Sequence, residues 1–364
     1  MNRRKVIATL SAVAVAATMF VGCGGSSNSS SNSGASGTKL KVGLVTDQGG
    51  VNDGSFNESA NRGIEQAESE LGIQKLNAIE SKSVDVYEPN LKTMSSQADL
   101  TVGAGFMMQQ AMDNVSKQAA DKKFVVVDTE VKNPNVQSIF FKEQEGSFLA
   151  GVMAGKLTKT NKIGFVGGKE GEVINRFEAG FVAGVASVNP EAAKGLMAVS
   201  ETQPGKFVTY VDSFDDQQKG VTAAKKLYQD GADIVMHAAG GVGLGVFKAA
   251  EEMGKFAIGV DSDQAVAASS KGYKDVILFS MEKKVDVAVK NVIKQVQDGN
   301  FKGGETQVLG IKEGGVGIAP TLHENVTKEA QDLTKKAEQL IKDDKIAVPG
   351  TRAELLEFQP VEIK

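Results

Sequence analysis

Among 364 residues there is one cysteine, no tryptophan, two histidines and only four tyrosines. A single thiol cannot build a disulfide framework or a cysteine-rich metal centre. Two histidines outside any HExxH arrangement argue against a zinc hydrolase, and both His237 and His323 read as structural. The 41 Lys and Arg against 45 Asp and Glu leave a net charge of -4, without the basic excess that nucleic acid calls for. A GxxxxGK[ST] loop and a GxSxG elbow are both missing. The glycines of Gly241-Val-Gly-Leu-Gly245 are of a kind common at strand-to-helix turns and carry little weight as a dinucleotide loop. No nucleophile, base and oxyanion site assemble, so the chain reads as a non-enzyme that needs no cofactor. What the sequence does have is 41% hydrophobic residues and enough length for two lobes.

Arg3, Arg4 and Lys5 precede an apolar run from residue 6 to 21, which ends in Gly22-Cys23. A basic start followed by a short apolar run reads as a secretory signal over residues 1–22. The only cysteine falls directly at its end, resembling a bacterial lipobox, in which such a cysteine becomes the lipidated mature N-terminus. Residues 26–37, SSNSSSNSGASG, offer nothing to bury and are expected to stay flexible. Their reach is roughly 19 Å, so residues 23–38 form a tether that holds a folded body off the membrane. No later apolar run approaches the ~20 residues of a membrane span.

From residue 39 short apolar runs alternate with amphipathic ones, the pattern of βαβ units. Strands are expected at 41–45, 74–79, 99–103, 124–128, 162–166, 207–211, 233–237, 257–261, 276–279 and 307–311. Helices are expected at 55–71, 107–121, 143–157, 217–229, 242–253 and 283–297, with an amphipathic C-terminal helix over 324–344. Residues 98–128 and 232–261 echo each other: each opens with Ala-Asp and a strand, passes a glycine-bearing turn into a helix, and closes on a strand ending in Asp. Upstream, KVGLV at 41–45 is echoed by KIGFV at 162–166. The fold class is therefore α/β, with two doubly wound parallel-sheet lobes. The first lobe is expected over 39–150, the second over 151–310, and a segment packing back on the lobes over 311–364. The chain is expected to cross between lobes in 138–159.

Ligands of open parallel sheets bind beyond the carboxyl ends of the strands. Asp47, Asp128 and Asp261 stand there, as do the turns at 103–105 and 239–241. Their carboxylates favour neutral partners rich in donors and repel phosphate. In the first turn Ser55 and Glu58 have capping-box spacing. Phe56 in the same turn either faces the cleft or tucks beneath the helix. Phe177 either faces it across the cleft or forms a core stripe with Phe181. Lys283 either starts an exposed helix or bridges a ligand hydroxyl and Asp261. Asp263 and Gln264 either stand behind the site or cap the next helix.

The segments KVGLVTDQGGVNDGSFNESANRGIEQA, INRFEAGFVAG, AAGGVGLGVFKAA, IGVDSDQ and FSMEKKVDVAV resemble the basic membrane protein family of lipoproteins, which includes purine nucleoside receptors of ABC importers. The resemblance covers 39–318. It implies a type I periplasmic-binding-protein fold with a hinge, and a nucleoside between two aromatic rings, matched here by Phe56 and Phe177. It implies that Asp128 contacts the base, Asp261 and Lys283 the ribose, Asp47 and Asn57 polar groups from the first loop, and Gly241 the sugar through its backbone. Val51-Asn52-Asp53-Gly54 departs from the acidic stretch of many relatives. The implied protein is a lipid-anchored monomer on the extracytoplasmic face of the cell membrane, working with an ABC permease and ATPase. The alternatives are a sugar or autoinducer receptor on the same fold, which would call for more Trp and Tyr, and a nucleoside-processing enzyme.

Overall fold

The computed structural model describes residues 39–363; the expected signal sequence, Cys23 and the tether lie outside the described residues. The chain runs through β1 (Lys41–Val45), α1 (Phe56–Leu71), β2 (Gln74–Lys75), α2 (Tyr87–Gln97), β3 (Leu100–Ala104), α3 (Gln109–Gln118), β4 (Lys123–Val127) and β5 (Val136–Phe141). It continues with α4 (Glu143–Leu157), β6 (Ile163–Gly167), α5 (Glu172–Val188), α6 (Pro190–Leu196), β7 (Val208–Tyr210), α7 (Gln217–Gln229), β8 (Ile234–Ala238), α8 (Val242–Met253), β9 (Phe256–Asp261) and β10 (Ile277–Lys283). The remainder is α9 (Val285–Gln297), β11 (Thr306–Leu309), β12 (Val316–Ile318), α10 (Lys328–Lys342) and α11 (Arg352–Glu357).

Two six-stranded sheets result, ordered β11-β5-β4-β3-β1-β2 and β12-β10-β9-β8-β6-β7. The same strand order in both is the physical form of the repeat read from the sequence. Residues 98–128 supply β3, α3 and β4, and residues 232–261 supply β8, α8 and β9. Pairing is parallel throughout except between β10 and β12. Strands such as β3, buried along its whole length, read as continuous apolar runs because helices cover both faces.

The second-lobe span of 151–310 needs correction. α9 leaves the second sheet and packs on α1, and β11 pairs with β5 in the first sheet. β5 itself lies in the first sheet, whereas α4 packs against α5 and α10 in the second lobe. The chain therefore crosses between lobes three times, after β5, after β10 and after β11. The crossings lie side by side: Lys142 N donates to the Leu309 carbonyl at 3.0 Å, and Lys284 N to that of Gly315 at 2.8 Å.

The C-terminal segment straps the second lobe. α10 lies on α4, and α11 carries Arg352 onto α5. The Arg352 guanidinium forks onto Glu178 at 2.8–3.1 Å, reaches Glu170 at 2.5 Å and lies 5.3 Å from the Tyr210 ring centre. Such a planar fork suits two carboxylate oxygens at once. Among the described residues no helix is long and apolar enough to cross a membrane.

Candidate ligand-binding cleft

The carboxyl ends of both sheets face one cavity. Its walls include Asp47, Asp53, Phe56, Asn57, Gly105, Phe106 and Asp128 from the first lobe. The second lobe contributes Val173, Ile174, Phe177, Phe214, Ala238, Ala239, Gly240 and Asp261, with Lys283 from the end of β10. The atom-free space among them is about 470 Å³. Of the eight residues that the family resemblance assigns to the ligand, all but Gly241 are on this wall; Gly240 lines it instead.

The first turn departs from the expected capping box. Ser55 makes no side-chain cap to α1. Instead the Asp53 carboxylate accepts the main-chain N–H groups of Ser55 at 2.9 Å, Asn57 at 2.9 Å and Glu58 at 3.0 Å. A carboxylate at a helix N-terminus satisfies orphan donors and the helix dipole together. Asn57 Nδ2 then donates to Asp47 Oδ1 at 2.7 Å and to Asp53 Oδ2 at 3.0 Å. This leaves the Ser55 hydroxyl free to cross the cleft and donate to Asp261. Gly105, with φ of 118°, makes room for Asp47: a Cβ there would lie 2.8 Å from its Oδ2. Burial pushes the Asp47 carboxyl up to about 6 against its hydrogen bonds, and pushes Asp261 up to about 7 against the pull of Lys283 and Ser55.

Lys283 is the last residue of β10, not the start of an exposed helix, and its side chain is buried. Its ammonium pairs with Asp128 Oδ2 at 2.6 Å and Glu143 Oε1 at 2.9 Å. Burial opposes its charge, but the facing carboxylates of Asp128, Glu143 and Asp261 outweigh it and raise its pKa. Glu143 is also held by Arg176 Nε at 2.6 Å. Burial raises its pKa, but Lys283 and Arg176 outweigh it, with a net shift downward. Burial raises the pKa of Asp128 despite Lys283, and its Oδ1 is buried without a hydrogen-bond partner. The same ammonium lies 4.9 Å from the Phe56 ring centre and 5.8 Å from that of Phe177, so one cation sits beside both rings. Phe177 thus faces the cavity, and Phe181, one helical turn on, turns to the core, 6.2 Å from the Phe165 ring.

Sequence reasoning passed over Asp53, Glu143, Phe106 and Phe214. Phe214, in the turn after β7, meets Phe106 across the cleft edge to face, with ring centres 6.2 Å apart. Its signal was the one that marked Phe56, an aromatic in a polar turn at a strand end. His237 is buried behind the wall, as its structural reading expected.

Residues 40–352 match the family described as ABC transporter substrate-binding protein PnrA-like, Bmp. The chain belongs to this family. It is 37% identical to the CD4+ T-cell-stimulating antigen of Listeria monocytogenes, over 96% of this chain and 99% of that protein. It is 38% identical, over the same shares, to the ABC transporter nucleoside-binding protein BmpA of Lactococcus lactis subsp. cremoris. An ABC transporter solute-binding protein from Aeropyrum pernix superposes with a TM-score of 0.74 at 27% identity, covering 87% of this chain and 96% of that one. The chain is thus an ABC transporter substrate-binding protein of the type I periplasmic fold, not an enzyme. In this Bmp family member the cleft lies beyond the carboxyl ends of both sheets, the place where open parallel sheets bind ligands.

Proposed function

We propose that the substrate is a nucleoside, with a purine base, captured outside the cytoplasm by a lipid-anchored receptor and handed to an ABC permease and its ATPase. The observation that carries this reading is the wall itself. Phenyl rings at Phe56, Phe106, Phe177 and Phe214 accompany aspartates at 47, 53, 128 and 261. Lys283, the one cationic wall residue among those described, is already paired with two carboxylates. Rings suit a flat base through apolar burial and stacking. Carboxylates suit the donors of a base edge and of ribose hydroxyls, and disfavour a phosphate. The likeness to a relative named as nucleoside-binding supports the same substrate class. Asp128 is assigned to the base, Asp261 to the ribose, and Phe56 and Phe177 to stacking.

Calorimetry with inosine, guanosine, cytidine, ribose and inosine monophosphate tests this. The purine nucleosides bind most tightly and the monophosphate does not bind. Asp261→Ala weakens inosine more than its 2′,3′-dideoxy form, because only inosine has the hydroxyl donors whose acceptor the substitution removes. Equal affinity for inosine and its monophosphate would overturn the reading. The anchor rests on Cys23, the only cysteine, at the end of the apolar run. Labelled palmitate enters the wild type expressed in bacteria and not Cys23→Ala; label retained in the variant would refute the anchor.

A further inference from the structure

Gln264, just after β9, is fully buried and yet is no part of the cavity wall. Its Oε1 accepts the main-chain N–H of Val260 at 2.7 Å and lies 2.9 Å from His237 Nε2. The Val260 amide can only donate, so the side-chain oxygen must face it and the NH₂ must face the other way. That way is across the cleft, where Nε2 donates to the Gly54 carbonyl at 2.8 Å. Gly54 has a positive φ of 69°. A Cβ built on it would lie 3.3 Å from Leu244 Cδ2 and 3.5 Å from Ser269 Cβ, both in the second lobe. Here the main chain of one lobe lies flat on the other. Ser269 donating to Glu58 at 2.5 Å, and Arg62 to Ser262 at 3.1 Å, flank the same seam outside the wall.

We propose that the Gln264–Gly54 hydrogen bond is a latch that sets the fraction of molecules closed before substrate arrives, and so scales the affinity for every substrate by one common factor. The amide of Gln264 is held in position within its own lobe, so its donor is aimed whether or not a substrate is present. When a binding-competent form is only partly populated, the apparent dissociation constant is the intrinsic one divided by that fraction. A residue that touches substrate changes the ranking of substrates; a latch that touches only the other lobe does not. Gln264 is in this sense a positioning residue, and its action requires no particular substrate.

The test breaks the latch from each side. Gln264→Met keeps the length of the side chain and removes the donor to Gly54, together with the oxygen that Val260 uses within the same lobe. Gly54→Ala places a methyl group against Leu244 and Ser269. Circular dichroism establishes that each variant is folded, and X-ray scattering of the unliganded proteins reads the separation of the lobes. Both variants are expected to give a larger radius of gyration than the wild type. Both are expected to bind inosine and adenosine roughly tenfold more weakly, by the same factor for each. Scattering curves that superpose on the wild type, or losses that differ between the two nucleosides, overturn the latch. If the wild type binds neither nucleoside, the substrate reading falls and the scattering comparison alone decides the latch.

Discussion

Asp128 and Asp261 hold the same place in the two halves of the molecule, at the carboxyl ends of the equivalent strands β4 and β9, and both take a left-handed backbone, with φ of 71° and 64°. Asp tolerates this region better than most residues, but it remains costly for any side chain. Buried carboxylates in strained positions mark places where a fold gives up stability for function. Asp261→Gly should therefore raise the stability of the ligand-free protein by about 1 kcal/mol while weakening nucleoside binding at least tenfold. Thermal melts and calorimetry read the two effects separately; a lower melting temperature would contradict the account.

The pH dependence has a definite sign. Burial raises Asp47 to about 6 and Asp261 to about 7, above their ordinary value of 3.8. The folded protein therefore binds these protons more tightly than the unfolded chain does. The stability they contribute is present below about pH 4 and is lost as pH rises through 6 and 7. Asp47→Asn with Asp261→Asn, which mimics the neutral carboxyls, should melt above the wild type at pH 8 and close to it at pH 4.5. A gap independent of pH would count against these assignments.

Removing the Lys283 ammonium leaves Asp128 and Glu143 buried beside each other. Lys283→Met is expected to cost about 3–5 kcal/mol, the usual penalty of breaking a buried pair from one side. Adding Asp128→Asn should recover part of it by deleting the stranded charge. Guanidinium denaturation of the two variants measures the difference.

Arg352 makes a parallel case outside the cleft. Glu178 is fully buried under its fork, so Arg352→Met should destabilise by about 3–5 kcal/mol and Arg352→Met with Glu178→Met by much less. Arg352→Lys should not rescue, because an ammonium cannot span both oxygens as the planar fork does. Urea melts of the three variants test this.

Most of the architecture was legible because buried parallel strands are apolar runs, and the echo of 98–128 in 232–261 announced two similar sheets. β5 escaped because Gln137 and Ser138, buried on its two opposite faces, dilute the apolar signal. β11 was placed in the wrong lobe because order along the chain does not show a third crossing. In the site, Ser55 and Glu58 had the right spacing for a capping box, but Asp53 outcompeted them with a charged acceptor. An exposed helix start stays open for Lys283 in the sequence because Met281-Glu-Lys-Lys284 looks solvated. Its partners Asp128 and Glu143 lie far away in sequence, and nothing local points to them.

The three neighbouring crossings also decide which parts of the cleft can move. Three strands of chain laid abreast behave like a ribbon hinge, free to bend about one axis and stiff to twisting. Glu143 and Lys283 sit at two of these crossings, 2.9 Å apart, so a bend of the ribbon would displace this pair least. Ser55 and Asp261, bonded to each other across the cleft, are parted by the same bend. Opening about that ribbon would separate the two walls of the cleft and leave the Lys283–Glu143 pair intact.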